Sequence, residues 1–259
     1  MELVSAAPHP VLRRHVRRYC GYRERTTHPV RRRELPGADV TLIVSLGPQL
    51  RLLEPRPATH RSFVAGLDER VAVTEHDGAA AGVEVTLTPL AAHQLFRVPM
   101  HMLARSVVEL DDVLGRDADR LAERLHDAPR WSKRFQVLDD TVQRQIAEAP
   151  EPSPGIAWAY QRLLATAGRV RVGALASELG WSRKRLAAGF REEVGLPAKS
   201  LARVLRFRQA VRLLEGDDER SLGEIALDCG YFDQAHLNRD FRSFAGCTPT
   251  ELLARRRRE

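Results

Sequence analysis

Gln234, Asn238 and Arg239 stand within six residues of one another, and each carries hydrogen-bonding groups that match a nucleobase edge. Side-chain amides suit adenine, a guanidinium suits guanine, and the methyl of Ala235 beside them can meet a thymine methyl. His236 lies at the edge of this group. Fifty-one residues upstream, Arg183, Lys184 and Arg185 form a compact cationic cluster that can reach phosphate or guanine. For any one of these residues the alternative is a solvated surface side chain. Such groups read DNA from the N-terminal end of a helix lying in the major groove. The sequence around them must therefore supply two such helices.

It supplies them as an internal repeat. Leu175-Ala176 matches Ile225-Ala226, and Leu179-Gly180-Trp181 matches Cys229-Gly230-Tyr231, both offset by 50 residues. Leu186, Phe190 and Gly195 match Leu237, Phe241 and Gly246, offset by 51, so one residue is inserted at Phe232 or Asp233. Each copy predicts helix, glycine turn, helix. Gly180 and Gly230 can take the left-handed conformation that ends a helix. Ser182 and Asp233 are N-caps for the second helices, and Ser221 with Glu224 forms a capping box before the second copy. Thr248-Pro249-Thr250-Glu251 offers another, with proline at the first helical position. Pro197 to Glu215 predicts one rigid helix between the copies. Two units in register form the helix-turn-helix pattern; a helical bundle with an accidental repeat is the alternative.

Charge follows the repeat. Residues 1–155 carry 22 Lys and Arg against 21 Asp and Glu; residues 156–259 carry 19 against 13. A basic region beside a nearly neutral one is an electrostatic footprint of nucleic-acid binding. The alternative is a solvated charged surface plus the terminal run Arg255 to Arg258. Between the halves, Glu148 to Gly155 holds three prolines and a glycine and reads as an extended linker.

In the first half, Val40 to Leu46 predicts a strand, entered through Glu34 to Asp39 as a turn. Arg51 to Glu54, Ser62 to Ala65, Arg70 to His76 and Gly82 to Leu87 predict further short strands separated by proline, glycine and Asp77-Gly78 turns. After Pro89 the period becomes helical. Leu90 to Phe96, Asp117 to His126 and Trp131 to Glu148 predict helices, the last with the stripe Phe135, Leu138, Val142 and Ile146. That stripe is either core or a dimer face. The expected fold is α+β: a small antiparallel β-barrel or sandwich with trailing helices over residues 1–149, then an all-α domain over residues 155–257 with two helix-turn-helix units joined by a long helix.

The segment Ile225-Ala226-x-x-Cys229-Gly230-Tyr231-x-x-Gln234-x-x-Leu237-x-Arg239-x-Phe241-Arg242-x-x-x-Gly246-x-Thr248-Pro249 resembles the signature of the AraC/XylS transcription regulators, over Gly155 to Arg257. Leu35-Pro-Gly37…Asp39-x-x-x-x-Val44-x-Leu46-Gly47, Phe63 to Gly66 and Val107 to Gly115 resemble the N-terminal domains of one subgroup. The resemblance implies sequence-specific DNA binding by the second half and an effector-binding or dimerisation barrel in the first. It implies double-stranded DNA, a small-molecule effector, RNA polymerase and a second copy of the chain as partners; an activator is the expectation, with a repressor as the alternative. Two departures stand out. Family members commonly carry arginine where Ala188 stands, and an aromatic followed by arginine where Leu252-Leu253 stand. The first unit is thus left with Arg183 to Arg185 followed by small residues, including Gly189.

No catalytic or cofactor site emerges. His60, His76, His93 and His101 lie near the predicted barrel without metal-ligand spacing, and scattered histidines of this kind are expected at the surface. A metal-dependent cupin enzyme fused to a DNA-binding domain is the alternative function, and an architectural DNA protein a further one. Cys229 and Cys247 align with Leu179 and Leu196 and read as core residues; Cys20 is the one thiol open to a redox role. Asp39, at the start of the most apolar strand, needs a partner: a turn amide near Gly37, or an effector. No run approaches the ~18 apolar residues of a membrane span. The N-terminus lacks a signal pattern, so a cytoplasmic location is expected.

Overall fold

The structure, a computed structural model, describes residues 1–216 and 220–256. The chain opens with β1 (Glu2–Ala6), β2 (Val16–Arg25), β3 (Val30–Glu34), β4 (Val40–Ser45), β5 (Leu50–Glu54), β6 (Ala58–His60), β7 (Phe63–Ala65), β8 (Ala72–His76) and β9 (Ala79–Leu87). After α1 (Pro89–Phe96) and α2 (Met100–Leu103) it adds β10 (Val107–Glu109). The strands form two antiparallel sheets, ordered β1-β2-β9-β4-β7-β10 and β3-β8-β5-β6. Sequence had no assignment for β1, β2 and β3. Exposed positions of β2 and β3 carry arginine and glutamate, as in Val16-Arg-Arg-Tyr-Cys-Gly-Tyr-Arg-Glu-Arg25, which masks the period-2 pattern of a half-buried strand.

The pleat of the six-stranded sheet sorts side chains to two different environments. Leu42 pairs with Val85 and Val44 with Val83, and all four are buried on one face. Thr41 pairs with Thr86 and Ile43 with Glu84, on the other face. The first face is covered by α1, α4 (Arg116–Asp127) and α5 (Trp131–Ala147), which follow the short α3 (Leu110–Leu114). Phe135, Leu138 and Val142 of α5 are buried within the chain, with Phe135 stacked on Tyr19 at 5.8 Å. The α5 stripe is therefore core, and the dimer-face alternative for it is overturned.

The proline-rich stretch is shorter than an eight-residue linker. Ser153 is the N-cap of α6 (Pro154–Ala165), with Pro154 at the first position and Gly155 inside the helix. Gln94 donates to the Pro150 carbonyl at 3.2 Å, and the Ser153 N–H donates to Glu193 at 2.9 Å. The segment is thus tied down on both sides.

Beyond it run α7 (Val172–Glu178), α8 (Arg183–Glu193), α9 (Ala198–Glu215), α10 (Leu222–Asp228), α11 (Gln234–Ala245) and α12 (Pro249–Arg256). Every cap read from sequence is in place. Ser182 accepts from Arg185 N–H, Asp233 from His236 N–H, and Ser221 with Glu224 closes a capping box. Thr248 and Glu251 exchange the same reciprocal bonds. Gly180, Gly230, Gly195 and Gly246 all have positive φ. Apolar burial divides within α9. Leu201 and Ala202 join a core shared with α6, α7, α8 and the N-terminal half. Val204, Phe207, Ala210 and Val211 join a separate core with α10 and α11.

Candidate nucleic-acid interface

Both second helices present their N-terminal ends to solvent. On α8, Arg183, Lys184 and Arg185 are exposed while Leu186 and Phe190 are buried. Arg185 lies over the Trp181 ring at 4.1 Å, which fixes that guanidinium beside the turn. Gly189 has a packing reason: a Cβ there would run into the Ile156 side chain of α6. On α11, Gln234, Ala235 and Arg239 are exposed.

Two residues read as outward stand differently. Asn238 is half-buried, and its Oδ1 is enclosed with no hydrogen-bond partner. The helix turns it toward its own unit, where residue spacing alone had placed it on the outer face. His236 is half-buried as well, with its Nδ1 accepting from the Phe232 N–H at 3.4 Å and its ring edge-on to Tyr231 at 5.1 Å. Its ring closes the turn. The extra residue of the second copy is Phe232, because Ser182 and Asp233 both cap directly.

α11 is held from behind by α9. Phe207 contacts Phe241 and Phe244 edge-on at 4.9 and 5.2 Å. Arg203 donates to buried Asp240 at 2.7 Å, and Arg206 donates to the Gly230 carbonyl at 2.9 Å. Sequence gave no sign of these ties, since each joins residues more than twenty positions apart. Cys229 and Cys247 are buried core thiols, and burial pushes Cys229 up to about 11. Cys20, the thiol left open to a redox role, is buried too. Arg256 pairs with Glu215, so this member of the terminal run is engaged within the chain; Arg257 and Arg258 lie outside the described residues.

The second face of the six-stranded sheet borders a cavity of about 510 Å³. Thr41, Ile43, Phe63 and Thr86 line it from one sheet, Leu50, Leu52 and Thr74 from the other. It is also lined by Glu34 and Asp39 and by Arg208 of α9 and Arg256 of α12. Asp39 accepts from Arg17 Nε at 3.4 Å. The partner of Asp39 is thus an arginine 22 residues away and not a turn amide near Gly37. Burial pushes the Asp39 carboxyl up against the pull of Arg17.

Of the four histidines near the barrel, His101 is exposed and the other three are engaged. His60 pairs with Glu109 at 2.8 Å, and His76, buried where a surface position was expected, with Glu24 at 2.9 Å. His93 Nδ1 lies 3.0 Å from the Val98 carbonyl. Among the described residues no three His, Cys, Asp or Glu side chains stand together as a metal site.

Residues 175–255 match the family model described as "Helix-turn-helix domain", and residues 4–109 match "Domain of unknown function (DUF6597)". No curated protein matches the chain. Among solved structures it is similar to ToxT from Vibrio cholerae O395, at 13% identity over 91% of this chain and 96% of that one, with a TM-score of 0.46. It is also similar to the C-terminal domain of AraT, a response regulator from Geobacillus stearothermophilus, at 24% identity over 39% and 85% of the two chains, TM-score 0.37. A transcriptional regulator with an AraC-type DNA-binding domain from Chromobacterium violaceum gives 26% identity over 40% and 92%, TM-score 0.36. With the signature in its second unit, two capped helix-turn-helix units and the matching family model, the second half of the chain is a helix-turn-helix DNA-binding domain of the AraC type.

Proposed function

We propose that residues 1–149 form an effector-binding and dimerisation domain and residues 155–257 the DNA-binding domain, with α8 and α11 entering successive major-groove segments. The observation that carries this is the pair of exposed helix N-termini in register, each backed by a buried stripe and joined by α9. α9 is 18 residues long, about 27 Å at 1.5 Å per residue. That is comparable with the ~34 Å between successive major-groove faces. Gln234, Ala235 and Arg239 supply base contacts. Arg183, Lys184 and Arg185 supply phosphate contacts. His236 and Asn238 act beside them, one shaping the turn and one offering its amide from a half-buried position.

The cavity is the effector site, and Asp39 one of its polar groups. Its size falls within the ~300–1,000 Å³ range of small-molecule pockets, and walls that mix apolar side chains with polar ones fit such a ligand. We read it as a binding site and not a catalytic one: of its three carboxylates, Asp39 is engaged by Arg17 and Glu84 by Arg18. A homodimer would use a face other than the α5 stripe; β1 ends its sheet and carries exposed Leu3. Activation through RNA polymerase and a cytoplasmic location rest on the family resemblance alone.

Binding-site selection with the full chain tests the DNA reading, and enrichment of one defined sequence is the expected result. Recovery of unrelated sequences would favour an architectural role. Filling the cavity by Ile43→Trp should then abolish any small-molecule effect on that binding and leave binding itself intact.

A further inference from the structure

Phe232 is 86% exposed, more than any other large apolar side chain among the described residues. Its backbone is nevertheless fixed. Tyr231 before it is buried at 3%, and Asp233 after it caps α11 through a 2.7 Å bond from His236 N–H. Its own N–H donates to His236 Nδ1 at 3.4 Å. The ring is therefore held out into solvent by a rigid turn. The first unit has no such residue, because Ser182 caps α8 directly after Trp181.

The position of this ring selects its partner. It stands at the N-terminal end of α11, beside exposed Gln234 and Ala235. One ring among polar side chains is far below the area of a protein–protein interface. The apolar feature that a major groove offers is the thymine 5-methyl group. We propose that Phe232 is a specificity-determining residue that packs on a thymine methyl at one end of the half-site read by the second unit. This rests on the reading of α11 as a groove-entering helix.

The test uses the full chain and a site obtained by selection. Each thymine is replaced in turn by deoxyuridine, which removes only the methyl group. Wild type should lose about fourfold in affinity at one position, the equivalent of one buried methyl-sized group. Phe232→Ala should bind the unmodified site more weakly by a similar factor and ignore that methyl, with binding to scrambled DNA unchanged. Phe232→Leu should retain part of the methyl response. A flat deoxyuridine scan for wild type overturns the proposal, as does a Phe232→Ala protein that still senses every methyl as wild type does. Equal loss on specific and scrambled DNA makes Phe232 a backbone contact and overturns it as well. If wild type selects no sequence at all, the groove-reading role of α11 fails instead.

Discussion

Arg203 donates to Asp240 at 2.7 Å while its other terminal nitrogen lies 3.7 Å from Glu69. One guanidinium on α9 thus touches the second recognition helix and the N-terminal half together. It also lies over the Phe244 ring at 4.8 Å. Asp240 is 3% exposed, so removing its partner leaves a buried carboxylate unpaired. Arg203→Ala should lower unfolding free energy by about 2–3 kcal/mol, at the lower end for such pairs because Arg203 is itself partly solvated. Asp240→Asn, which keeps an acceptor, should lower it less. Urea unfolding measures both.

Gly189→Ala sets two effects against each other. Alanine improves helix propensity by about 1 kcal/mol. The added Cβ runs into Ile156, buried between α6 and α8. Overpacking of this kind is unfavourable by about 1–3 kcal/mol. The expected outcome is net destabilisation, and Gly189→Ala combined with Ile156→Val should recover part of it. Thermal unfolding of the three proteins checks this.

Glu193 gives a pH signature. It is buried, and burial pushes its carboxyl above the ordinary glutamate value despite the Ser153 N–H it accepts. A carboxyl raised in the folded state binds its proton more tightly there than in the unfolded chain. Its contribution to stability therefore falls as pH rises from the ordinary value through the raised one. Glu193→Gln keeps an acceptor and cannot ionise. Its stability relative to wild type should be lowest below the carboxylate range, grow more favourable through that window and level off above it. A series of denaturant midpoints across pH, with the slope difference confined to that window, is the expected record.

The two units should contribute differently to DNA binding. Arg239→Ala should reduce the ratio of specific to nonspecific affinity by about 1–3 kcal/mol. Lys184→Ala should weaken binding to all sequences and flatten the salt dependence by about one unit of slope. Operator and scrambled DNA across a salt series separate the two. A change of base preference in Lys184→Ala, with none in Arg239→Ala, would reverse the assignment.

What could be read from sequence was local. Caps and glycine turns are set by neighbours within five residues, and Ser182, Asp233 and the Ser221–Glu224 box stand where the spacing put them. The α5 stripe was legible as a buried face, but periodicity does not say what covers it, and the cover is the chain's own sheet. The Val40 run hid the alternation of Thr41 and Ile43 toward a cavity, because Ile43 between Thr41 and Ser45 interrupts the polar positions of that face. Asp39 needed a partner, as expected, yet Arg17 lies in a strand that arginines had disguised. Asn238 fell between inward and outward, a rotation that only the packing of α11 on α9 decides.

The single residue that separates the two turns gives the molecule a direction. Were α8 and α11 true copies, a chain could lie on a run of identical half-sites in more than one register, either unit taking the other's place. With Phe232 added to one turn only, and with different side chains at the two helix tips, the ends of α9 are not interchangeable. Each bound chain then has a front and a back, and the order of bases in the site fixes which way it faces along the DNA.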